Sequence, residues 1–272
     1  MIEKTLAGKT AIITGATGSI GRAIAWQIAS MDYKVVITAK DEHKAQQVLK
    51  QIIDISGNKD VSYEMVDLSR KSSIKEFRKR WKGPLHLLIN NAGATPRKRE
   101  LTPEGIEMQW ATNVLGYFWM IEEFKDLLIE NSPCRIVNVA SYWAGDLDFK
   151  DLEFESRHYN NDTAYRQSKQ ADRMLSIAFA NQLRDKGVTV NACHPGDVKS
   201  TLSNNLGYGG HESPDQGADT PVWVATSEKL EGITGKYFEH RRESVCRFGQ
   251  DKEAVERLLG VCQGYWSLVA GH

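Results

Sequence analysis

The sequence predicts an α/β protein built on a doubly wound parallel sheet of about seven strands with helices on both faces. Three observations predict it. Short apolar runs rich in β-branched residues alternate with segments of helical periodicity along the 272-residue chain. Strands that alternate with helices in this way imply crossover connections and a parallel sheet covered on both faces. No repeat, low-complexity tract or Pro/Gly-rich linker divides the chain, so a single domain over 1–272 is expected.

Lys9–Thr14 reads as the first buried strand and Ser19–Met31 as an amphipathic helix after it. Lys34–Thr38 is the second strand, and Asp41–Ile53 carries apolar residues at helical spacing. Val61–Val66, Leu85–Ile89, Arg135–Val139 and Val188–Ala192 continue the series. Two stretches break the rhythm: Asp146–Asp162, polar and charged, and Ser200–Asp219, with its Gly207-Tyr208-Gly209-Gly210 run and Pro214. Long connections in compact α/β domains are usually functional. Both follow strands, so both are expected as substrate-binding loops at the carboxyl edge of the sheet.

The 35 Lys+Arg and 35 Asp+Glu balance, which argues against a nucleic-acid or anionic-membrane partner. With 41% hydrophobic residues and mean hydropathy −0.45, a soluble globular protein is expected; no apolar run approaches the ~20 residues of a spanning helix. Met1–Gly8 lacks the apolar region and cleavage pattern of a signal peptide. The dispersed cysteines (Cys134, Cys193, Cys246 and Cys262) form no Cys-x-x-Cys. They read as reduced thiols of a cytoplasmic protein, with no metal.

Thr14-Gly15-Ala16-Thr17-Gly18-Ser19-Ile20-Gly21 sits where the first strand hands over to the first helix. Glycines there allow a tight turn and close approach of a dinucleotide pyrophosphate, whose charge the helix N-terminus favours. Gly15, Thr17, Gly18, Ser19, Ile20 and Gly21 are thus candidate cofactor contacts. At the end of the second strand a carboxylate would bind ribose hydroxyls and repel a 2′-phosphate. Ala39 and Lys40 stand there instead, with Arg22 nearby, so NADP(H) is expected over NAD(H).

Tyr165 and Lys169 are four residues apart on a helical segment, hence neighbours on one face. A phenol titrates near ~10, and a nearby cation favours its ionised form. One Tyr-x-x-x-Lys arises by chance about once in such a chain, so its company decides. Asn90-Asn91-Ala92-Gly93 follows the fourth strand, Asn113 lies within a helical pattern, Ser141 closes the fifth strand, and His194-Pro195-Gly196 closes the sixth.

With this set in order from about Lys9 to about Asn204, the chain resembles the short-chain dehydrogenase/reductase family. The resemblance implies a Rossmann fold and a catalytic tetrad of Asn113, Ser141, Tyr165 and Lys169. A hydride would move between nicotinamide C4 and a carbinol or carbonyl carbon, with Tyr165 as general acid or base and Ser141 holding the substrate oxygen. Lys169 would bind the nicotinamide ribose and depress the tyrosine pKa, and Asn113 would hold a relay water. It further implies cofactor contacts from Asp67, Leu68, Asn90, Ala92, Gly93, Pro195, Val198 and Ser200.

Two features depart from the short form of the family. Ser19 replaces the middle glycine, leaving Gly15-x-x-Gly18-x-x-Gly21, a spacing like that of sugar-nucleotide epimerases. The interval from Ser141 to Tyr165 is also wide, as in retinol-dehydrogenase-like members. Tyr142, Trp143, Leu202 and Leu206 are candidate substrate walls, with Tyr208 beside them, suited to a hydrophobic carbonyl or alcohol. The family implies a homodimer or homotetramer through the helices carrying Asn113 and Tyr165, although monomers occur among its retinol-dehydrogenase-like members. His194 reads as a satisfied structural residue, Trp110, Tyr117, Phe118 and Trp119 as core or subunit interface, and Lys236–Arg242 as an unassigned loop. A catalytically idle cofactor sensor or scaffold, and an epimerase, stand as alternatives.

Overall fold

The computed structural model describes residues 8–268; the signal-peptide reading of Met1–Gly8 falls, save for Gly8, outside them. Strands β1 (Thr10–Ile13), β2 (Lys34–Ala39), β3 (Val61–Met65), β4 (Leu87–Asn90), β5 (Cys134–Val139), β6 (Val188–Cys193), β7 (Tyr237–Glu239) and β8 (Arg242–Ser244) form one sheet, ordered β3-β2-β1-β4-β5-β6-β7-β8. All pairs are parallel except β7–β8. This is the Rossmann-type arrangement, with the order reversing between β1 and β4.

The register explains why apolar residues occupy both faces of the central strands. Val36, Ile12, Leu88, Ile136 and Val190 stand side by side across β2, β1, β4, β5 and β6 and face one core. The next residues along, Ile37, Ile13, Ile89 and Val137, face the other. Helices α1 (Ser19–Ala29), α2 (Glu42–Ser56) and α7 (Pro214–Thr226) cover the second face. The first is covered by α3 (Lys71–Arg80), α4 (Gly116–Glu130), α5 (Asn161–Leu183) and α8 (Lys252–Leu268). Trp110, Tyr117, Phe118 and Trp119 are fully buried in the chain's own interior. Val255, Leu258, Leu259 and Cys262 of α8 share the α5 core, so an intramolecular helix lies over the region expected to serve association.

Three expectations change. The sheet has eight strands: Lys236–Arg242 is a hairpin, not a loop, with His240 and Arg241 at φ 47° and 56° forming its two-residue turn. Such turns are usually signalled by Gly or Asn, and His-Arg gives no such signal. Ser200–Asp219 is not one loop but contains α6 (Thr201–Leu206) and the start of α7. Both helices begin with capping boxes, Ser200 with Ser203 and Ser213 with Gln216.

The third concerns Asp146–Asp162, which is irregular up to Asn160, the N-cap of α5, and is tied down rather than poised over the cleft. The Asp151 carboxylate accepts the N–H groups of Glu155, Ser156 and Arg157, and Gln167 Nε2 donates to Leu152 O at 2.7 Å. Glu153 accepts from Glu107 N and from the Tyr265 hydroxyl of α8. All four cysteines are free thiols, three of them buried.

Candidate active site

The carboxyl ends of β1, β2, β4, β5 and β6 open onto a cleft of about 570 Å³. Its floor is the β1–α1 turn. Gly15 sits at φ +66°, and a Cβ there would lie 2.6 Å from Ala92 Cα. At Gly21 a Cβ would lie 2.5 Å from both Gly15 O and Asn91 Nδ2. These two glycines are demanded by packing within the protein. Gly18 is not: a Cβ there would meet only Gly15 O, at 3.4 Å, and the residue lines the cleft. Ser19 is the first residue of α1 and needs no glycine conformation, so the turn forms despite the departure from the family pattern. The helix start carries no side-chain cap and no acidic residue in its first turn, leaving N–H groups and the positive dipole end toward the cleft. A dinucleotide pyrophosphate fits this cradle.

Thr14 joins the turn to the Asn90-Asn91-Ala92-Gly93 block: its Oγ1 accepts from Asn91 N at 2.9 Å and Ala92 N at 3.1 Å. Thr17, Ile20, Leu68, Asn91, Ala92 and Gly93 line the cleft. Asn90 does not: its side chain is buried in the sheet, donating to Asn138 Oδ1 at 2.9 Å. Asp67 also lies behind the wall, its Oδ1 accepting from Ser69 N and Oγ and pairing with Lys40 at 3.3 Å. Burial works against ionisation there, but the Ser69 bonds and the Lys40 charge hold Asp67 below its ordinary value. Arg22 turns away to Gln51 Oε1. Lys44, which the sequence reading missed, joins Lys40 at the cleft edge; its spacing of four residues from Lys40 was the available signal.

Tyr165 and Lys169 lie on α5, which Asn160 begins by accepting from Thr163 N at 2.9 Å. Tyr165 lines both the long cleft and an adjoining cavity of about 220 Å³. Ser141 opens onto the smaller cavity and Lys169 onto the cleft, so the phenol stands at their junction. Pro195, Ser200 and Leu202 line both spaces, whereas Val198 faces only the smaller one. Trp143, Leu206 and Tyr208 form its apolar wall, with Trp143 and Tyr208 stacked 5.3 Å apart. Tyr142 stands behind Trp143, its hydroxyl donating to Asp197 Oδ2 at 3.0 Å.

Asn113 lies in a π-helical turn, Trp110–Leu115, a distortion frequent at functional sites. Its side chain accepts from Ala94 N at 2.8 Å and donates to Ala94 O at 3.1 Å and Ser168 Oγ at 3.2 Å. It pins the cleft wall to α5 and has no free side-chain donor for a water.

The electrostatics bear on Tyr165 and His194. Burial pushes the Tyr165 phenol up to about 12, offset in part by a hydrogen bond with Ser141, and the Lys169 ammonium pairs with Asp172 at 2.8 Å. His194 is neutral, its pKa driven down to about 3 by burial and the nearby His240 and Arg173 charges. Its Nδ1 nevertheless finds no hydrogen-bond partner, so it is structural without being satisfied. Among the described residues, no three His, Cys, Asp or Glu side chains converge as a metal site requires. None of the described helices is long and apolar enough to cross a membrane.

Fold and site together define a nucleotide-binding α/β protein whose cleft ends at a buried phenol, hydroxyl and ammonium. The chain belongs to the short-chain dehydrogenase/reductase family of oxidoreductases, matching the short chain dehydrogenase model over residues 9–208, and it is retinol-dehydrogenase-like. It is 32% identical to retinol dehydrogenase 13 of Homo sapiens over 94% of this chain and 84% of that one. A solved structure of an uncharacterized protein from Mycobacterium paratuberculosis superposes with TM-score 0.79 at 25% identity, covering 96% of this chain and 94% of that one. A metagenomic short-chain oxidoreductase in complex with NADP matches with TM-score 0.67 at 25% identity, over 86% and 97% of the two chains.

Proposed function

We propose that this chain is an NADP(H)-dependent oxidoreductase that interconverts a hydrophobic alcohol and its ketone or aldehyde. The observation that carries this reading is the place of Tyr165, on the shared wall of the dinucleotide-sized cleft and the aromatic-lined cavity. A nicotinamide bound in the cleft supplies or accepts a hydride at its C4. Tyr165 is then the group within reach of a substrate oxygen, and it donates a proton to a carbonyl or takes one from an alcohol. Ser141, whose Oγ accepts from Trp143 N at 3.1 Å, keeps its own O–H to stabilise charge developing on that oxygen. Lys169, on the cleft side, is placed to bind the ribose, and Pro195 and Ser200 to border the carboxamide. Trp143, Leu202, Leu206 and Tyr208 exclude water around the apolar part of the substrate.

Lys40 and Lys44 at the cleft edge support NADP(H), and the NADP-bound metagenomic relative accords with that choice. Free buried thiols fit a reducing compartment, and we place the protein in the cytoplasm as a single nucleotide-binding domain. Tyr165→Phe is the test. NADPH should still raise the melting temperature, while carbonyl reduction followed by loss of NADPH absorbance should fall at least 100-fold. Wild-type binding without turnover of any carbonyl or alcohol would leave the cofactor-sensor reading instead.

A further inference from the structure

Asp197 lines the smaller cavity together with Ser141 and Tyr165, and the chemistry above gives its carboxylate nothing to do. Its place is fixed from both sides. Oδ2 accepts from the Tyr142 hydroxyl at 3.0 Å, and the backbone carbonyl accepts from His211 N at 2.8 Å and Glu212 N at 2.9 Å. Tyr142 directly follows Ser141, so the carboxylate stands within one tyrosine's length of the residue placed to hold the substrate oxygen. Glu212 brings a second carboxylate behind the same wall: Gly196 lines the cavity, and a Cβ on it would collide with Glu212 Oε2. That oxygen is buried and has no hydrogen-bond partner. Among the described residues neither Asp197 nor Glu212 forms an ion pair. Arg173, whose charge reaches His194, is paired with Glu239 at 3.5 Å. Tyr142 registers the excess negative charge: burial, its bond to Asp197 and the charges of Asp197, Glu239 and Glu212 push its phenol up to about 12.

His194 stands on the same wall. It lines the cavity, is 5% exposed, and its Nδ1 has no partner, whereas buried polar atoms are ordinarily bonded. The neutral ring sits edge-on to Tyr142 at 4.4 Å, and a neutral imidazole keeps one nitrogen free to accept an N–H. Trp143 and Tyr208, 38% and 39% exposed, add aromatic surface, which attracts organic cations as well as apolar groups. Unpaired carboxylates, a vacant imidazole nitrogen and aromatic rings around one cavity are surroundings that an ammonium group satisfies. Resting on the function proposed above, we infer that the substrate is a small carbonyl compound, or its alcohol, that carries a protonated amine. Asp197 is the residue that selects it, with Glu212 reinforcing the negative field. In reduction the carbonyl carbon takes the hydride as the reduced nicotinamide is oxidised, and the carbonyl oxygen takes the Tyr165 proton. The ammonium keeps its proton and charge throughout, and its contact with Asp197 directs the carbonyl end toward Ser141 and Tyr165. The cavity of about 220 Å³ lies below the ~300–1,000 Å³ of drug-sized sites, which limits the substrate to a single ring or a short chain.

The test compares two aldehydes of one shape: para-(dimethylaminomethyl)benzaldehyde, a cation at neutral pH, and para-isobutylbenzaldehyde, its uncharged isostere. Turnover is followed by loss of NADPH absorbance. The wild-type protein should favour the ammonium compound in kcat/KM by about tenfold, as one partly solvated charge contact provides. Asp197→Asn should bring that ratio to about twofold or below, and Glu212→Gln should lower it by less. A wild-type ratio of about one or below, or a ratio that folded Asp197→Asn leaves in place, overturns the inference. Should Asp197→Asn not fold, Glu212→Gln decides, and an unmoved ratio overturns the inference equally. A second readout needs no catalysis. Benzyldimethylamine should raise the melting temperature of the wild-type protein, with or without NADPH, and should raise that of Asp197→Asn by clearly less. That pattern without turnover of either aldehyde supports the ammonium site and defeats the proposed function. Turnover of both aldehydes without discrimination defeats only the ammonium site.

Discussion

Reversing the charge at Lys40 tests the proposed preference for NADP(H). Lys40 is 58% exposed and lies 3.3 Å from Asp67, so its interactions are priced near those of water, about 1 kcal/mol per unit-charge contact at ~4 Å. A 2′-phosphate carries about −1.5 to −2 charges. Lys40→Glu changes the local charge by two units, an unscreened swing of about 3–4 kcal/mol. Ionic screening with a Debye length of ~8 Å, and the remaining Lys44, reduce this to about 2 kcal/mol. The ratio of NADPH to NADH dissociation constants should then rise about 30-fold. Lys40→Met, which removes one charge, should give about half the free-energy change, and the freed Asp67 carboxylate adds to it by repelling the phosphate. The assay is a fluorescence titration with both cofactors at low and high salt. NADH binding should scarcely change, and the NADPH loss should shrink as salt rises. A ratio that moves less than about twofold in Lys40→Glu, or equal weakening of both cofactors, would refute the electrostatic argument and leave Lys40 a solvated residue at the start of α2.

Three further outcomes follow from particular contacts. Gly21→Ala, whose Cβ would sit 2.5 Å from Gly15 O, should lose about 2–3 kcal/mol of stability. Gly18→Ala, with its nearest contact at 3.4 Å, should lose less than about 1 kcal/mol yet bind NADPH much more weakly; thermal melts with and without cofactor distinguish the two. Burial raises Glu107 to about 7, against bonds from Gln109 N and Trp110 N. The folded state therefore binds that proton more tightly than the unfolded one, and the stability gained is present below the unfolded pKa and lost as pH rises through about 7. Glu107→Gln should flatten this fall by up to about 3 kcal/mol, measured by denaturant melts across that range. Because α8 of the same chain packs against α5, light scattering should give a monomer near 30.6 kDa; a dimer through that face would require α8 to be displaced.

The strands were legible because a sheet covered on both faces imposes the same demand at every position. Val36-Ile12-Leu88-Ile136-Val190 and the opposite row leave little room for polar residues, and the runs show it. The glycine turn and Tyr165 were legible for a related reason, since each depends on local backbone or helical spacing. The eighth strand was not, because its turn uses His240 and Arg241 in a conformation that their side chains do not advertise. Nor was the anchoring of Asp146–Asp162. Its charged residues suggest a solvated stretch, but Asp151 and Glu153 spend their charge on nearby N–H groups and on Tyr265. Composition records the charge of a segment and not the partners that neutralise it.

The same limit explains the largest gap at the site. Lys40 was expected to meet a phosphate and Lys169 the nicotinamide ribose and the phenol; that Lys40 pairs with Asp67 at 3.3 Å and Lys169 with Asp172 at 2.8 Å was not foreseen. The first pair joins strands that touch only in the fold, so sequence spacing could not give it. The second was within reach: Tyr165, Lys169 and Asp172 are spaced by four and three residues, one stripe of a helix. The two pairs also differ in what they do. At the exposed edge the Asp67 bond is weak enough for a phosphate to compete with it. In the interior, neither member of the Lys169–Asp172 pair can be left alone without a penalty of several kcal/mol, so whatever draws Lys169 toward the cleft must also answer for Asp172.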